Sequence, residues 1–308
     1  MRNHIYGIDI GGTTIKIGLF SRSGLLIEKW EIDSDKSNNG KNILNDIASF
    51  IKNNVIPLDD IIGYGFGVPG PVVGNTVLNC VNLGWKEVNI KENLKDLLEN
   101  ENIYVANDAN VAALGETMNG ASKGFKDSVM ITLGTGVGSG VIIDGKIITG
   151  TNGAAGEMGH IKLIHEHGLA CGCGNTGCLE TVASATGLKN IFTELLAKTN
   201  TSSVLRSVED FNAKLIFDAA NNNDELALEA VDKFTYYIAT AIQIITVSIN
   251  PEIIVIGGGV SKAGLPLLDR IINHFKNIGF SSVKDTKIVL AKLGNDAGIF
   301  GAAGMVKV

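Results

Sequence analysis

The residues most able to do chemistry in this 308-residue chain lie in one short stretch, His160-(x10)-Cys171-Gly-Cys173-Gly-Asn-Thr-Gly-Cys178-Leu-Glu180. Three of the four cysteines fall within eight residues, with a histidine one loop upstream. That spacing lets three sulfurs and one imidazole converge on one tetrahedral ion, and a Cys3His set is a closed zinc shell. Glycines stand between or beside the ligand positions, as a sharply turning loop requires. Four protein donors leave no open coordination position. The expected Zn2+ is therefore structural, held by His160, Cys171, Cys173 and Cys178. The competing reading is a run of reactive or buried cysteines with no metal. His165 and His167 are nearby competitors as ligands and read as exposed loop residues. Cys80 stands alone and reads as a small buried apolar residue.

Two acids bracket this loop. Glu157-Met-Gly-His160 precedes the cysteines and Glu180 follows them. A pinned loop would hold two carboxylates and an imidazole on a fixed frame. Hydroxyls donate to carboxylates, and burying two acids without partners costs several kcal/mol, so a polyol such as an uncharged sugar is a sensible occupant. The alternative is that Glu157 and Glu180 brace the metal loop by hydrogen bonds.

A second kind of chemistry is written in glycines. Asp9-Ile-Gly11-Gly12-Thr13-Thr14-Ile-Lys16 follows a strand and opens a hairpin. Glycines let backbone N–H groups approach phosphate oxygens, the threonines add donors, and Lys16 adds a charge. Asp9, at the strand end, can orient Mg2+-bound water. The segment Ile8–Thr13 has an echo in Ile131–Gly136, within Leu133-Gly134-Thr135-Gly136-Val137-Gly138. Two such hairpins, one per half, suggest a duplicated α/β unit gripping one ligand between its copies; chance likeness of two Gly-rich hairpins is the alternative. Asn107-Asp108-Ala-Asn110 follows a short strand and starts a helix. A carboxylate at a strand's carboxyl end faces the place where open α/β sheets bind ligands. Asp or Asn at that point also caps a helix, and the adjacent pair can divide the two roles.

Two near-motifs are rejected. Gly140-Val-Ile-Ile-Asp-Gly145-Lys146-Ile147 approaches a P-loop, but Ile stands where Ser or Thr must hold Mg2+, and its context is strand–turn–strand. Gly65-Phe-Gly67-Val-Pro-Gly70 matches the dinucleotide pattern, yet Pro71 and the β-like Val72-Val73 follow where a helix should begin.

The elements that must position these groups alternate between strand and helix. Strands are expected at Ile5–Ile10, Thr14–Phe20, Leu25–Ile32, Ile61–Val68, Ile103–Ala106, Ser128–Leu133, Gly140–Asp144, Glu252–Ile256 and Lys287–Leu290. Helices are expected at Lys41–Asn53, Glu92–Leu98, Ala109–Met118, Ala183–Ala197, Val208–Asn221 and Asp224–Asn250, the last ended by Pro251. No Pro- or Ser-rich linker separates the halves, which favours a hinge near Asp108–Ala112. The net charge of -6, with no basic stripe, argues against nucleic acid as a partner. Tyr236–Ile249 is too short and too polar to span a membrane. The chain enters a strand at once, with no signal peptide, and its clustered thiols suit a reducing compartment, so a cytoplasmic protein is expected.

Together these segments resemble the ROK family, sugar kinases and sugar-sensing repressors of the actin–hexokinase superfamily, over essentially the whole chain. Asp9–Lys16 looks like the family's first phosphate motif and Leu133–Gly138 like its second. Ile254-Val-Ile-Gly257-Gly258-Gly259-Val260 looks like its adenosine motif, and Glu157–His160 with Cys171–Glu180 like its sugar and zinc segment. The form of that segment is most like zinc-containing bacterial glucokinases of the family. The resemblance implies a two-lobed, actin-like, ribonuclease H-like α/β fold with a deep inter-lobe cleft. Residues 1–110 would form the small lobe, with 294–308 packing back onto it, and 111–293 the large one. It implies transfer of the γ-phosphoryl group of ATP to the 6-hydroxyl of a hexose. Glucose is the expected substrate by analogy, with N-acetylmannosamine, fructose and allose as alternatives. Asp108 would be the general base. Gly70, Asn82, Asn107, Glu157, His160 and Glu180 would hold the sugar, with His160 serving both metal and sugar. Asp9, Gly11, Gly12, Thr13, Thr14, Lys16, Gly134, Thr135 and Gly136 would meet the phosphates and Mg2+, and Gly257, Gly258 and Gly259 the adenosine. Family repressors carry a DNA-binding segment ahead of the first phosphate motif, and only eight residues precede Asp9, so a non-catalytic sugar sensor is the lesser alternative. Homodimers or homotetramers are expected from the family.

Overall fold

The computed structural model describes residues 2–54 and 56–307. Met1 and Val308, the outer ends of the expected lobe ranges, and Val55 lie outside the described residues. Strands β1 (His4–Ile10), β2 (Thr14–Ser21) and β3 (Leu26–Asp33) form an antiparallel meander. A helical turn α1 (Ser37–Gly40) and helix α2 (Ile43–Lys52) lead to β4 (Ile61–Val68). Three short strands follow, β5 (Val72–Val73), β6 (Thr76–Cys80) and β7 (Trp85–Asn89), then α3 (Ile90–Leu94), β8 (Ile103–Asn107) and α4 (Asp108–Asn119). Next come β9 (Ser128–Leu133), β10 (Val137–Ile143) and β11 (Lys146–Ile147). Beyond the cysteine loop lie α5 (Glu180–Ala183), α6 (Ala185–Lys198), α7 (Ala213–Asn221) and α8 (Glu225–Ile249). The chain ends with β12 (Ile253–Gly257), α9 (Leu265–Ile278), β13 (Lys287–Leu290) and α10 (Ala297–Gly304).

The echo between the two glycine hairpins extends to whole sheets. One sheet has the order β3-β2-β1-β4-β8 and another β11-β10-β9-β12-β13. In the first, β1 pairs antiparallel with β2 and parallel with β4, which pairs parallel with β8. In the second, β12 runs parallel to both β9 and β13. Each glycine turn therefore joins the central strand of its sheet to the next strand of the meander.

The chain divides into two compact units. One comprises Met1–Asp127, Gly140–Gly156 and Lys292–Val308; the other comprises Ser128–Ser139 and Glu157–Ala291. In the first unit, one face of the sheet buries Ile8, Ile10, Ile15 and Ile17 against Ile43, Ile47 and Ile51 of α2. That i, i+4, i+8 spacing is one helical stripe. The helix α10 takes the other face, with Ile299 and Ala303 packed on Ile5 and Phe20. It lies at backbone contact: a Cβ on Gly7 would strike the Ile299 carbonyl, one on Gly65 the Ala302 carbonyl, and one on Gly115 of α4 the Ala297 carbonyl.

In the second unit α8 carries most of the helical core, burying Leu226, Ala230, Val231, Phe234, Ile238, Ile242 and Ile245. Asp224 caps its start by accepting from the Ala227 N–H at 2.9 Å. Asn250, at φ 53°, ends it in the left-handed region, and Pro251 follows. Among the described residues no helix is long and apolar enough to cross a membrane.

Some elements differ from the sequence reading. The expected helix over Val208–Asn221 begins only at Ala213, because Asn212 caps it by accepting from the Leu215 N–H at 3.0 Å. The expected strand Gly140–Asp144 starts earlier, at Val137. The β-like Val72-Val73 is β5, while β6, β7 and the helix α9 were not expected. The small sheet has strands of five residues or fewer, joined through turns that use Gly74 and Gly84 at positive φ. Helix α9 was legible: Leu267, Ile271 and Phe275 are its buried i, i+4, i+8 stripe, and Pro266 stands in its first turn.

Candidate functional site

In the first unit, parallel pairing brings the carboxyl ends of three strands to one rim. Asp9 of β1 lies opposite Gly67 of β4, and Val68 opposite Asn107 of β8. The turn Gly11–Thr14 closes through Gly11 N–H to the Thr14 carbonyl at 3.0 Å. Ser34, just past β3, pins it from outside: its hydroxyl donates to the Gly11 carbonyl at 2.6 Å and its N–H to the Thr13 carbonyl at 2.9 Å. Thr13 is exposed, and Gly11, Gly12 and Thr14 are partly so. The Asn82 Cβ lies 3.7 Å from where a Gly12 Cβ would be, so Asn82 stands beside this turn. Lys16 faces Asp9 across the strand pair and donates to the Asn295 carbonyl at 2.9 Å.

Of the pair Asn107–Asp108, the amide takes the helix cap. Asn107 is the N-cap of α4, its Oδ1 accepting from the Ala109 N–H at 2.9 Å and the Asn110 N–H at 3.2 Å. Its Nδ2 donates to the Gly70 carbonyl at 3.2 Å, tying the cap to the turn after β4. Gly70 is required there: φ is +96°, and a Cβ would run into the Asn79 carbonyl. Asp108 occupies the first helical position, half-buried, with Oδ1 accepting from the Ala109 N–H at 2.8 Å. Asp9 feels its neighbour. Burial, and then the Asp108 charge, push the Asp9 carboxyl up to about 6, with Lys16 pulling the other way. A Cβ on Gly298 would strike the Asp9 carboxylate, so the start of α10 forms one wall of this pocket for the acid.

The second unit gathers the other residues. Ligand atoms of His160, Cys171, Cys173 and Cys178 all lie within 4.8 Å of one another. The Cys173 and Cys178 sulfurs are 3.7 Å apart, and the Cys171 sulfur lies 3.6 Å from His160 Nδ1. A tetrahedron with Zn–S of about 2.3 Å and Zn–N of about 2.0–2.1 Å has edges of about 3.8 and 3.5 Å, so the donor set fits Zn2+ in number, type and spacing. An N–H of the Asn175 backbone lowers the Cys173 thiol to about 7, whereas burial raises the thiols of Cys171 and Cys178, which a bound cation would have to offset. His165 and His167 are exposed and outside the cluster. Cys80 is buried, 2 % exposed, in the core of the first unit. His160 turns its other nitrogen, Nε2, toward Glu157 Oε2 at 4.0 Å.

Glu180 is used differently from Glu157. Its Oε2 accepts from the Val137 N–H at 3.0 Å, and Oε1 meets the Cys171 sulfur at 3.6 Å. A Cβ on Gly136 would run into Oε2. The turn itself closes through Gly134 N–H to the Gly136 carbonyl at 2.9 Å. Gly258, at φ +84°, lets the end of β12 meet the backbone of Leu133, and open space lies where a Gly259 side chain would project. Gly257 ends β12 opposite Thr132. Sequence reasoning overlooked Ser34 and Gly298 in the first unit and Thr186 in the second. None carries a local motif, because each acts through a backbone or side-chain contact far along the chain.

One unit thus holds a strand-end acid pair beside a glycine turn, and the other a Cys3His cluster beside a second glycine turn. The chain belongs to the ROK family, whose family description matches residues 5–308. It is 44 % identical to a glucokinase of Halalkalibacterium halodurans, over 98 % of this chain and 94 % of that protein. It is 34 % identical to a glucokinase of Thermotoga maritima, over 98 % of this chain and 97 % of that protein. The solved structure of a ROK-family glucokinase from Streptomyces griseus, in complex with glucose and AMPPNP, superposes with a TM-score of 0.78 at 30 % identity, covering 98 % of this chain and 99 % of that one. The fold is thus the two-lobed α/β architecture of this family, with mixed sheets and connecting helices.

Proposed function

We propose that this protein is an ATP-dependent hexose kinase of the glucokinase type. The observation that carries the reading is the place of Asp108, at the carboxyl end of β8 and close enough to Asp9 for its charge to raise that acid, while Asn107 takes the helix cap. Asp108 takes the proton of the hexose 6-hydroxyl. The hydroxyl oxygen then bonds to the γ-phosphorus of Mg·ATP, the bond from that phosphorus to the β–γ bridging oxygen breaks, and ADP leaves. Phosphoryl transfer asks little more of the protein than positioning and charge stabilisation. Asp9 would orient water bound to Mg2+, while Gly11, Gly12, Thr13, Thr14, Lys16, Gly134, Thr135 and Gly136 would meet the phosphates. Gly257, Gly258 and Gly259 let adenosine lie against backbone.

Asn107, Glu157, His160 and Glu180, with Gly70 and Asn82, hold the sugar hydroxyls. His160, Cys171, Cys173 and Cys178 hold Zn2+, which when bound fixes the loop and takes no part in the transfer. Glucose is the acceptor of choice because the 44 % and 34 % identical relatives are glucokinases and the solved Streptomyces griseus relative was crystallised with glucose.

Asp108→Asn tests the assignment. The isosteric amide keeps the fold, so sugar binding should persist while kcat falls by about 100-fold or more, the range of a lost general base. A variant with wild-type kcat would remove Asp108 from the chemistry.

A further inference from the structure

The segment Glu180–Thr186 touches the second glycine turn at three points. Glu180 Oε2 accepts from the Val137 N–H at 3.0 Å. The Ala185 N–H donates to the Gly134 carbonyl at 2.8 Å, and the Thr186 hydroxyl to the Thr135 carbonyl at 3.1 Å. The turn's own bond uses the Gly134 N–H, and Glu180 takes that of Val137. The amides of Thr135 and Gly136 are the turn's remaining donors, and their direction is set by carbonyls held at Gly134 and Thr135.

The same segment is continuous with the cysteine cluster. Cys178 precedes Glu180 by two residues, and its carbonyl accepts from the Thr181 hydroxyl at 2.7 Å and the Thr181 N–H at 3.0 Å. We infer that Glu180, Ala185 and Thr186 form a strut that transmits the order of the metal cluster to the phosphate-binding turn. Metal occupancy then sets nucleotide affinity as well as the shape of the sugar loop. Thr186 is a positioning residue: it acts through the Thr135 carbonyl. This inference rests on the reading of the Gly134–Gly136 turn as a nucleotide-phosphate contact.

Thr186 is exposed in the first turn of α6, so its substitution leaves the core intact. The test is calorimetric binding of Mg·AMPPNP to the zinc-loaded full chain, in wild type, Thr186→Val and Thr186→Ser, and to wild type stripped by a chelator. One hydrogen bond's worth of positioning predicts that Thr186→Val weakens nucleotide binding about 3- to 10-fold, with glucose affinity and zinc content unchanged. Thr186→Ser, which keeps the hydroxyl, should return to within about twofold of wild type. Coupling is reciprocal, so Mg·AMPPNP should slow zinc loss to the chelator in wild type and do so less in Thr186→Val. Wild-type nucleotide affinity in Thr186→Val, with zinc loss indifferent to nucleotide, would overturn the strut while leaving the kinase reading intact. Absence of nucleotide binding in the zinc-loaded wild type would overturn both.

Discussion

The two glycine turns share a plan and differ in what holds them. Each joins the central strand of a five-stranded sheet to the next, and each closes through one internal bond, Gly11 to Thr14 at 3.0 Å and Gly134 to Gly136 at 2.9 Å. Each also has two carbonyls pinned from outside. In the first turn, Ser34 pins both from the end of the adjacent β3, so that turn is a property of its own sheet. In the second, Ala185 and Thr186 do so from a helix start that continues the cysteine loop. The first turn also carries its charges within its strands, Asp9 and Lys16, whereas the second borrows a carboxylate from Glu180. The same turn scaffold thus occurs twice, and the cysteine loop supports only one copy.

That contrast can be broken most forcefully at the cysteines. Replacing Cys171 and Cys173 with Ser should abolish zinc binding and lower the melting temperature by on the order of 5–10 °C, because metal binding contributes directly to folding. Nucleotide affinity should fall with it. Unchanged metal content and melting temperature would refute the cluster.

A smaller effect should come from Ser34→Ala, which removes the donor to the Gly11 carbonyl. Nucleotide affinity should drop about 3- to 10-fold, as for any one lost positioning bond. The loss should add to that of metal stripping, whereas Thr186→Val and stripping should not add, since they cut the same strut. Additive losses for both variants in calorimetric titrations would erase the difference between the turns.

A change of a different kind should be a pH dependence of stability peculiar to the first turn. Burial and Asp108 raise the Asp9 carboxyl to about 6, above its unfolded value of 3.8. The folded protein therefore holds this proton more tightly, and its stability falls as pH rises through that window, then levels off above about 6. Asp9→Asn should gain on wild type across the same window, by on the order of 1–3 kcal/mol. Denaturant midpoints from pH 4 to 7 would check it, and parallel curves for the two proteins would count against the buried acid.

Much of this was legible in the sequence for physical reasons. The strands β1, β2, β4 and β9 are long apolar runs that end in glycine turns, and the Cys3His spacing admits few other readings. That one of Asn107 and Asp108 would cap α4 was visible as an ambiguity, and the cap geometry assigns that role to Asn107. The roles of Ser34, Thr186 and Gly298 were not legible. Each depends on a partner brought close only by sheet and helix packing, such as Thr135 with Thr186 or Asp9 with Gly298. The small sheet β5 to β7 escaped because its strands are too short for alternation to register. Helix α9 was overlooked although its apolar spacing and Pro266 announced it.

The most direct test of the account is ADP release from Mg·ATP by the zinc-loaded protein, measured with glucose, N-acetylmannosamine, N-acetylglucosamine, mannose, fructose and allose in turn. The account predicts sugar-dependent turnover with the highest kcat/KM for glucose. No sugar-dependent turnover with any of the six would contradict it and leave the chain as a binding or sensing member of its family.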